Sequence, residues 1–159
     1  MSEHSHLRYG DIDPVALDTE LGMERYGGGG DLDPKLIQLV KVRAAELNGC
    51  SYCRAMHSAH ARGLGEQQGR LDHITNWAST PSLYSAREQA ALTFTESLSA
   101  HGSGTVPEDV WREAALAFEE REIVDLLILV SSINGWSALR SSTTTPTDNS
   151  SLDTCEAAS

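Results

Sequence analysis

Basic residues are scarce in this chain: 12 lysines and arginines stand against 23 aspartates and glutamates, for a formal net charge of -11. A nucleic-acid-binding surface needs a basic stripe and an anionic membrane surface needs a polybasic segment, and neither is present. Aromatic residues are few, at 6%, and hydrophobic residues reach only 40% of the 159. That is enough for one domain with a real core, with polar tails around it. Cysteine is rarer still. Three are too few and too unevenly spaced for the disulfide framework of a small secreted protein, whereas a close pair in a reducing compartment points to catalysis or metal binding. No cationic stretch followed by an apolar one opens the chain, so no secretory signal is read and a cytoplasmic location is expected. No segment alternates polar and apolar residues with a period of two. The expected fold is all-α, with six or seven helices.

Residues 1–11 read as a flexible tail in which His4 and His6 have no role, and residues 12–140 as the domain. Asp13-Pro14 pairs an N-cap with proline at the first helical position, opening a short helix through Val15, Leu17, Leu21 and Met23 to about Tyr26. Gly27 to Gly30 reads as a linker. Asp33-Pro34 repeats the start signal. Leu36, Leu39, Val40, Arg43 and Leu47 then keep a helical stripe, which Asn48-Gly49 ends because that pair readily takes positive φ. A helix from Cys50 to Gly63 follows, then one from about Glu66 to Trp77, stopped by Ser79-Thr80-Pro81-Ser82.

Ser85-Ala86-Arg87-Glu88 is a capping box, and the helix it opens groups Ala91, Phe94, Thr95 and Leu98. After the loop His101 to Gly104, a helix starting near Pro107 carries Trp111, Ala115 and Phe118. The last helix, near Glu122 to Leu139, is apolar almost all round and belongs at the domain centre or in a subunit interface. Asp125 interrupts it and the uncharged run is too short to span a membrane. Residues 141–159 are rich in serine and threonine and read as a disordered tail, with Cys155 an incidental thiol in it.

The chemistry gathers at Asn48-Gly49-Cys50-Ser51-Tyr52-Cys53-Arg54-Ala55-Met56-His57. On a helix, residues three and four apart stack on one face, so Cys50, Cys53 and His57 lie together. A helix N-terminus lowers a thiol pKa from about 8.5 towards 3.5–7.5, and His57 is placed to take the Cys53 proton. The sulfenic acid left on one sulfur by an oxidant can condense with the other to a disulfide. Helix position alone favours Cys50 as the acidic thiol; nearness to the base favours Cys53. Zinc is the competing reading, through Cys50, Cys53, His57 and His60. Those four fall within an arc of about 80° on one helix, which is poor for a closed tetrahedral site.

This stretch, with Leu39-Val40-Lys41-Val42-Arg43-Ala44 before it, resembles the carboxymuconolactone decarboxylase-like superfamily, and within it the alkylhydroperoxidase D (AhpD)-like branch. Tyr84 to Glu88, Val106-Pro107 and the run Ile123 to Trp136 continue the likeness, which covers roughly residues 12–140. The resemblance implies an all-α domain assembled as homotrimers or homohexamers. It implies reduction of a small hydroperoxide, with Cys53 attacking, His57 activating it, Cys50 resolving and Tyr52 in a proton relay. A lipoyl-type or thioredoxin-like dithiol would be the reductant, with no bound organic cofactor. The family's relay also places a glutamate twelve residues before the first cysteine. That position is Gln38 here, and an amide cannot take up a proton. The alternatives are a non-enzymatic oligomeric redox sensor and a zinc-stabilised structural module.

Overall fold

The computed structural model describes residues 12–99 and 105–142, the side chains of the last two excepted. Residues 1–11 and 143–159 and the loop His101 to Gly104, and with them His4, His6 and Cys155, lie outside the described residues. Among the described residues seven α-helices follow one another: α1 Pro14–Gly28, α2 Pro34–Leu47, α3 Ser51–Gly63, α4 Gln68–His73, α5 Ala86–Leu98, α6 Glu108–Ala117 and α7 Glu120–Ser142. Two short 3₁₀ segments, Ile74–Ser79 and Pro81–Leu83, join α4 to α5. No strand occurs among the described residues, as the absence of alternation implies.

The helix starts follow the local signals. Asp13 accepts from Val15 N–H, and Asp33 from both Lys35 and Leu36 N–H, at 2.9–3.1 Å. Both halves of the Ser85/Glu88 capping box are formed. Each such cap stabilises its helix by about 1 kcal/mol.

Four boundaries differ from expectation. The glycine run is not all linker, because α1 continues through Gly27 and Gly28. Gly27 is buried with its Cα side against Leu129, where an added Cβ would sit 3.3 Å from that residue. That close approach to α7 offsets the roughly 1 kcal/mol glycine costs in a helix. The expected helix from Glu66 to Trp77 is α4 plus a 3₁₀ segment, broken by the non-helical backbone of Asn76. In α6, Ala114 rather than Ala115 is buried, and Phe118 caps the helix end. α7 runs two residues past the expected domain limit of 140.

α2 is the axis of the domain. Leu36, Ile37 and Val40 pack with Phe94, Leu126, Leu129 and Val130; Leu39 and Val42 pack with Leu71, Ile74, Trp77 and Leu92. Ala44 and Ala45 close on Cys50, Cys53 and Ile133. A helix that feeds three core clusters is apolar on most sides, and only one charged residue, Lys41, is buried along it. α7 is long and apolar enough to cross a bilayer by length and composition. Its Leu126, Leu129, Val130 and Ile133 nevertheless fill the core, and Val124 faces outward at 43% exposure.

Candidate active site

Two helix ends meet at the cysteines. Gly49 has φ +68°, the left-handed conformation glycine takes without strain. It lets Gly49 N–H bond Glu46 O at 3.1 Å and Cys50 N–H bond Ala45 O at 3.0 Å, which closes α2 as a Schellman motif. The turn is tied to α7 by Asn48 Nδ2, which donates to Asn134 Oδ1 at 2.6 Å. Cys50 is the N-cap of α3 rather than its first residue, with its sulfur accepting from Cys53 N–H at 3.3 Å. One residue thus terminates α2 through its backbone and starts α3 through its side chain.

Cys50 and Cys53 are joined as a disulfide, their Cα atoms 5.3 Å apart. Both are buried, Cys53 the deeper at 2% exposure against 7%. Cys53 Sγ lies 3.9 Å from Ser137 Oγ of α7. Cys50 lines an open cleft of about 450 Å³, together with Gly49, Ser51, Arg54, Ser58 and Gln68, and Cys53 does not reach it. Arg54 Nε and Glu46 Oε2 pair at 2.8 Å beside this cleft. Glu46 also accepts from Thr75, so its carboxylate is committed away from His57.

His57 follows Cys53 by one turn and is 4% exposed. Gln38 Oε1 stands 3.1 Å from its Nδ1. An amide oxygen only accepts, so Nδ1 carries the hydrogen and Nε2 keeps its lone pair. Burial, then the positive charge of Lys41, then His60, push the imidazole well below the usual 6.5. His57 is therefore a neutral base at neutral pH, in a fixed tautomer. His60 stands edge-on to it, ring centroids 5.9 Å apart. Among the described residues no group of three or more histidines, cysteines or acids is arranged to hold a metal ion.

The structure joins Cys50 to Cys53, carries His57 one turn further along the same helix and sets Gln38 against its ring. Gln38, chosen in sequence because it interrupts an expected relay, turns out to be the partner that orients the base. Tyr52 is placed apart: it is 37% exposed, with the Arg140 guanidinium stacked 3.6 Å from its ring centre. Sequence reasoning missed Ser137 and the buried pair of Lys41 with Glu24 of α1. Lys41 carried a signal, since it lies between Val40 and Val42 in a stretch with no exposed face. Ser137 and Glu24 carried none, being brought in from distant helices.

The profile of the carboxymuconolactone decarboxylase family matches residues 15–97, just over half of the chain. The chain belongs to this family. An uncharacterised Bacillus subtilis protein, YdfG, is 29% identical over 133 residues, covering 84% of this chain and 90% of its own. Among solved structures, an Agrobacterium tumefaciens protein of unknown function, proposed as the antioxidant defence protein AhpD, superposes with a TM-score of 0.79 at 25% identity. The match covers 89% of this chain and 99% of that one. The debrominase Bmp8, bound to 2,3,4-tribromopyrrole, shares the fold at TM-score 0.71 and 17% identity, over 91% of this chain and 79% of its own. The family-level and AhpD-like assignments, and the all-α fold, stand on these matches.

Proposed function

We propose that the protein is a thiol-dependent hydroperoxide reductase working through the Cys50–Cys53 pair. The observation that carries this reading is a cysteine pair at a helix start, with one cysteine lining an open cleft and a buried neutral imidazole one turn behind the other. In the reduced protein, His57 Nε2 takes the Cys53 proton and the thiolate attacks the outer oxygen of the hydroperoxide. The O–O bond breaks, Cys53 becomes a sulfenic acid, and the proton on Nε2 passes to the departing alkoxide to give an alcohol. Cys50 then attacks the Cys53 sulfur; the S–O bond breaks and water leaves as the disulfide forms. A dithiol, lipoyl-type or thioredoxin-like, returns two electrons and two protons by exchange at Cys50, the cysteine that lines the cleft.

In this cycle every proton taken at Nε2 is given back at Nε2. The Gln38 contact at Nδ1 therefore need not conduct protons; it need only hold the ring. A carboxylate at position 38 is dispensable for the balance of the reaction, and its absence is compatible with activity. A reducing compartment such as the cytoplasm would keep the dithiol supplied, and assembly as a homotrimer or homohexamer belongs to the same reading.

The test is steady-state consumption of an alkyl hydroperoxide with excess dithiothreitol or dihydrolipoamide. Repeated turnover, abolished in Cys53→Ser and slowed at least about tenfold in His57→Gln, is expected. Consumption that stops at one peroxide per dithiol would overturn the reductase reading in favour of a redox sensor.

A further inference from the structure

Among the charged clusters that the mechanism above does not use, one lies on the same helix as Gln38. Lys41 of α2 is 4% exposed and its ammonium is ion-paired with Glu24 of α1. The other oxygen of Glu24 accepts from Ser132 Oγ of α7 at 3.2 Å. The pair thus sits where α1, α2 and α7 converge. The residue after Ser132, Ile133, packs directly on Cys50 and Cys53. Along α2, Lys41 is three residues after Gln38, which places it on the face of the helix that meets His57.

A need for stability does not account for the pair. Replacing a buried ion pair by apolar groups of similar volume is often neutral or stabilising. The charges are better explained by what they act on. We propose that Lys41, held in place by Glu24 and Ser132, is a positioning residue of the dithiol site: its fixed positive charge favours a neutral His57 and a negatively charged sulfur. The inference rests on the reductase reading for its purpose, not for its test.

The groups that face His57 are few. On α2 they are Gln38, a neutral acceptor, and Lys41. On α3 it is His60, Arg54 being occupied by Glu46. On α1, Glu24 is turned towards Lys41. Glu20 beside it is held above the usual carboxylate range, first by burial and then by Glu24. On α7, Ser132 and Ser137 carry no charge. Lys41 is the formal charge among the described residues that bears on the imidazole, and after burial it is the next cause of the depressed His57 titration.

The experiment follows His57 by NMR titration in the oxidised, disulfide-bonded protein, where no thiol titrates and no turnover is needed. Lys41→Met should raise the His57 titration midpoint by about one pH unit, and Lys41→Arg should leave it near the wild-type position. Because Lys41→Met strands Glu24, the double variant Glu24→Gln/Lys41→Met is measured beside it. That variant removes both charges and keeps the core filled, and it should show the same rise. In the reduced protein, the acid limb of peroxide-driven thiol loss should move up by the same amount in both Met variants and not in Lys41→Arg. An unmoved His57 midpoint in a cooperatively melting double variant overturns the inference. A moved midpoint in a protein that fails to turn over peroxide upholds it while removing the reductase reading.

Discussion

Replacing Gln38 by glutamate tests the site at its most informative contact. The substitution puts a carboxylate oxygen where Oε1 now stands, 3.1 Å from His57 Nδ1. An opposite charge that close favours the ionised form of a titrating group by about 1–3 pKa units, or about 1.4–4 kcal/mol at 1.36 kcal/mol per unit. Position 38 is half-buried, so the new carboxylate pays its own desolvation and the lower end is expected, about one unit. On the proposed mechanism, the reduced protein shares the proton between Cys53 and His57. Raising the imidazole by one unit raises the minor thiolate–imidazolium population about tenfold, and with it the rate of attack. The assay is stopped-flow loss of protein thiols on mixing with hydroperoxide at pH 7, with His57 titrated in parallel by NMR. Gln38→Glu should react about tenfold faster and its His57 midpoint should rise. If both rate and midpoint stay at wild-type values, His57 is not the base oriented by residue 38, and the reasoning fails.

Two further outcomes follow from the structure. His57 is pushed below 6.5 in the folded protein, so the unfolded chain binds a proton there that the folded chain does not. The oxidised protein should lose stability as pH falls from about 6.5 towards the folded-state midpoint, by up to about 1.4 kcal/mol per pH unit. His57→Gln should flatten that window in urea titrations, and an unchanged slope would refute the assignment. Gly30 and Gly135 both back onto carboxylates, but with different room for escape. A Cβ at Gly30 would collide with the Asp125 carboxylate, which is 0% exposed, whereas one at Gly135 meets at 2.9 Å the far end of Glu20, a flexible and partly exposed side chain. Gly30→Ala should cost about 1–3 kcal/mol and Gly135→Ala under about 1, read from denaturant midpoints; equal costs would count against the packing described.

What could be read from sequence was local. Two Asp-Pro starts, the Ser85 to Glu88 box and the Asn48-Gly49 stop each act within four residues, and each is found in place. The cysteine pair and its histidine share a helix for the same reason. The failures came where a distant element overrides local preference. Gly27 and Gly28 remain helical because α7 packs against them. The segment after α4 tightens and kinks where Trp77 is drawn to Glu96, its Nε1 donating at 2.6 Å. Ser132 and Glu24, 108 residues apart, meet only because α1 lies along α7. Residue type alone makes Gln38 a gap in a relay, because an amide cannot take up a proton. Its contact with Nδ1 shows a different use of the same position.

Cys50 closes one helix with its amide and begins the next with its sulfur. Any adduct formed on that sulfur alters the acceptor offered to Cys53 N–H, and so loosens or tightens the first turn of α3. Solvent exchange at that single amide would then differ between dithiol, disulfide and mixed-disulfide forms. The backbone is its own gauge of which chemical stage the pair has reached, and it can be followed without attaching a dye or label to either sulfur.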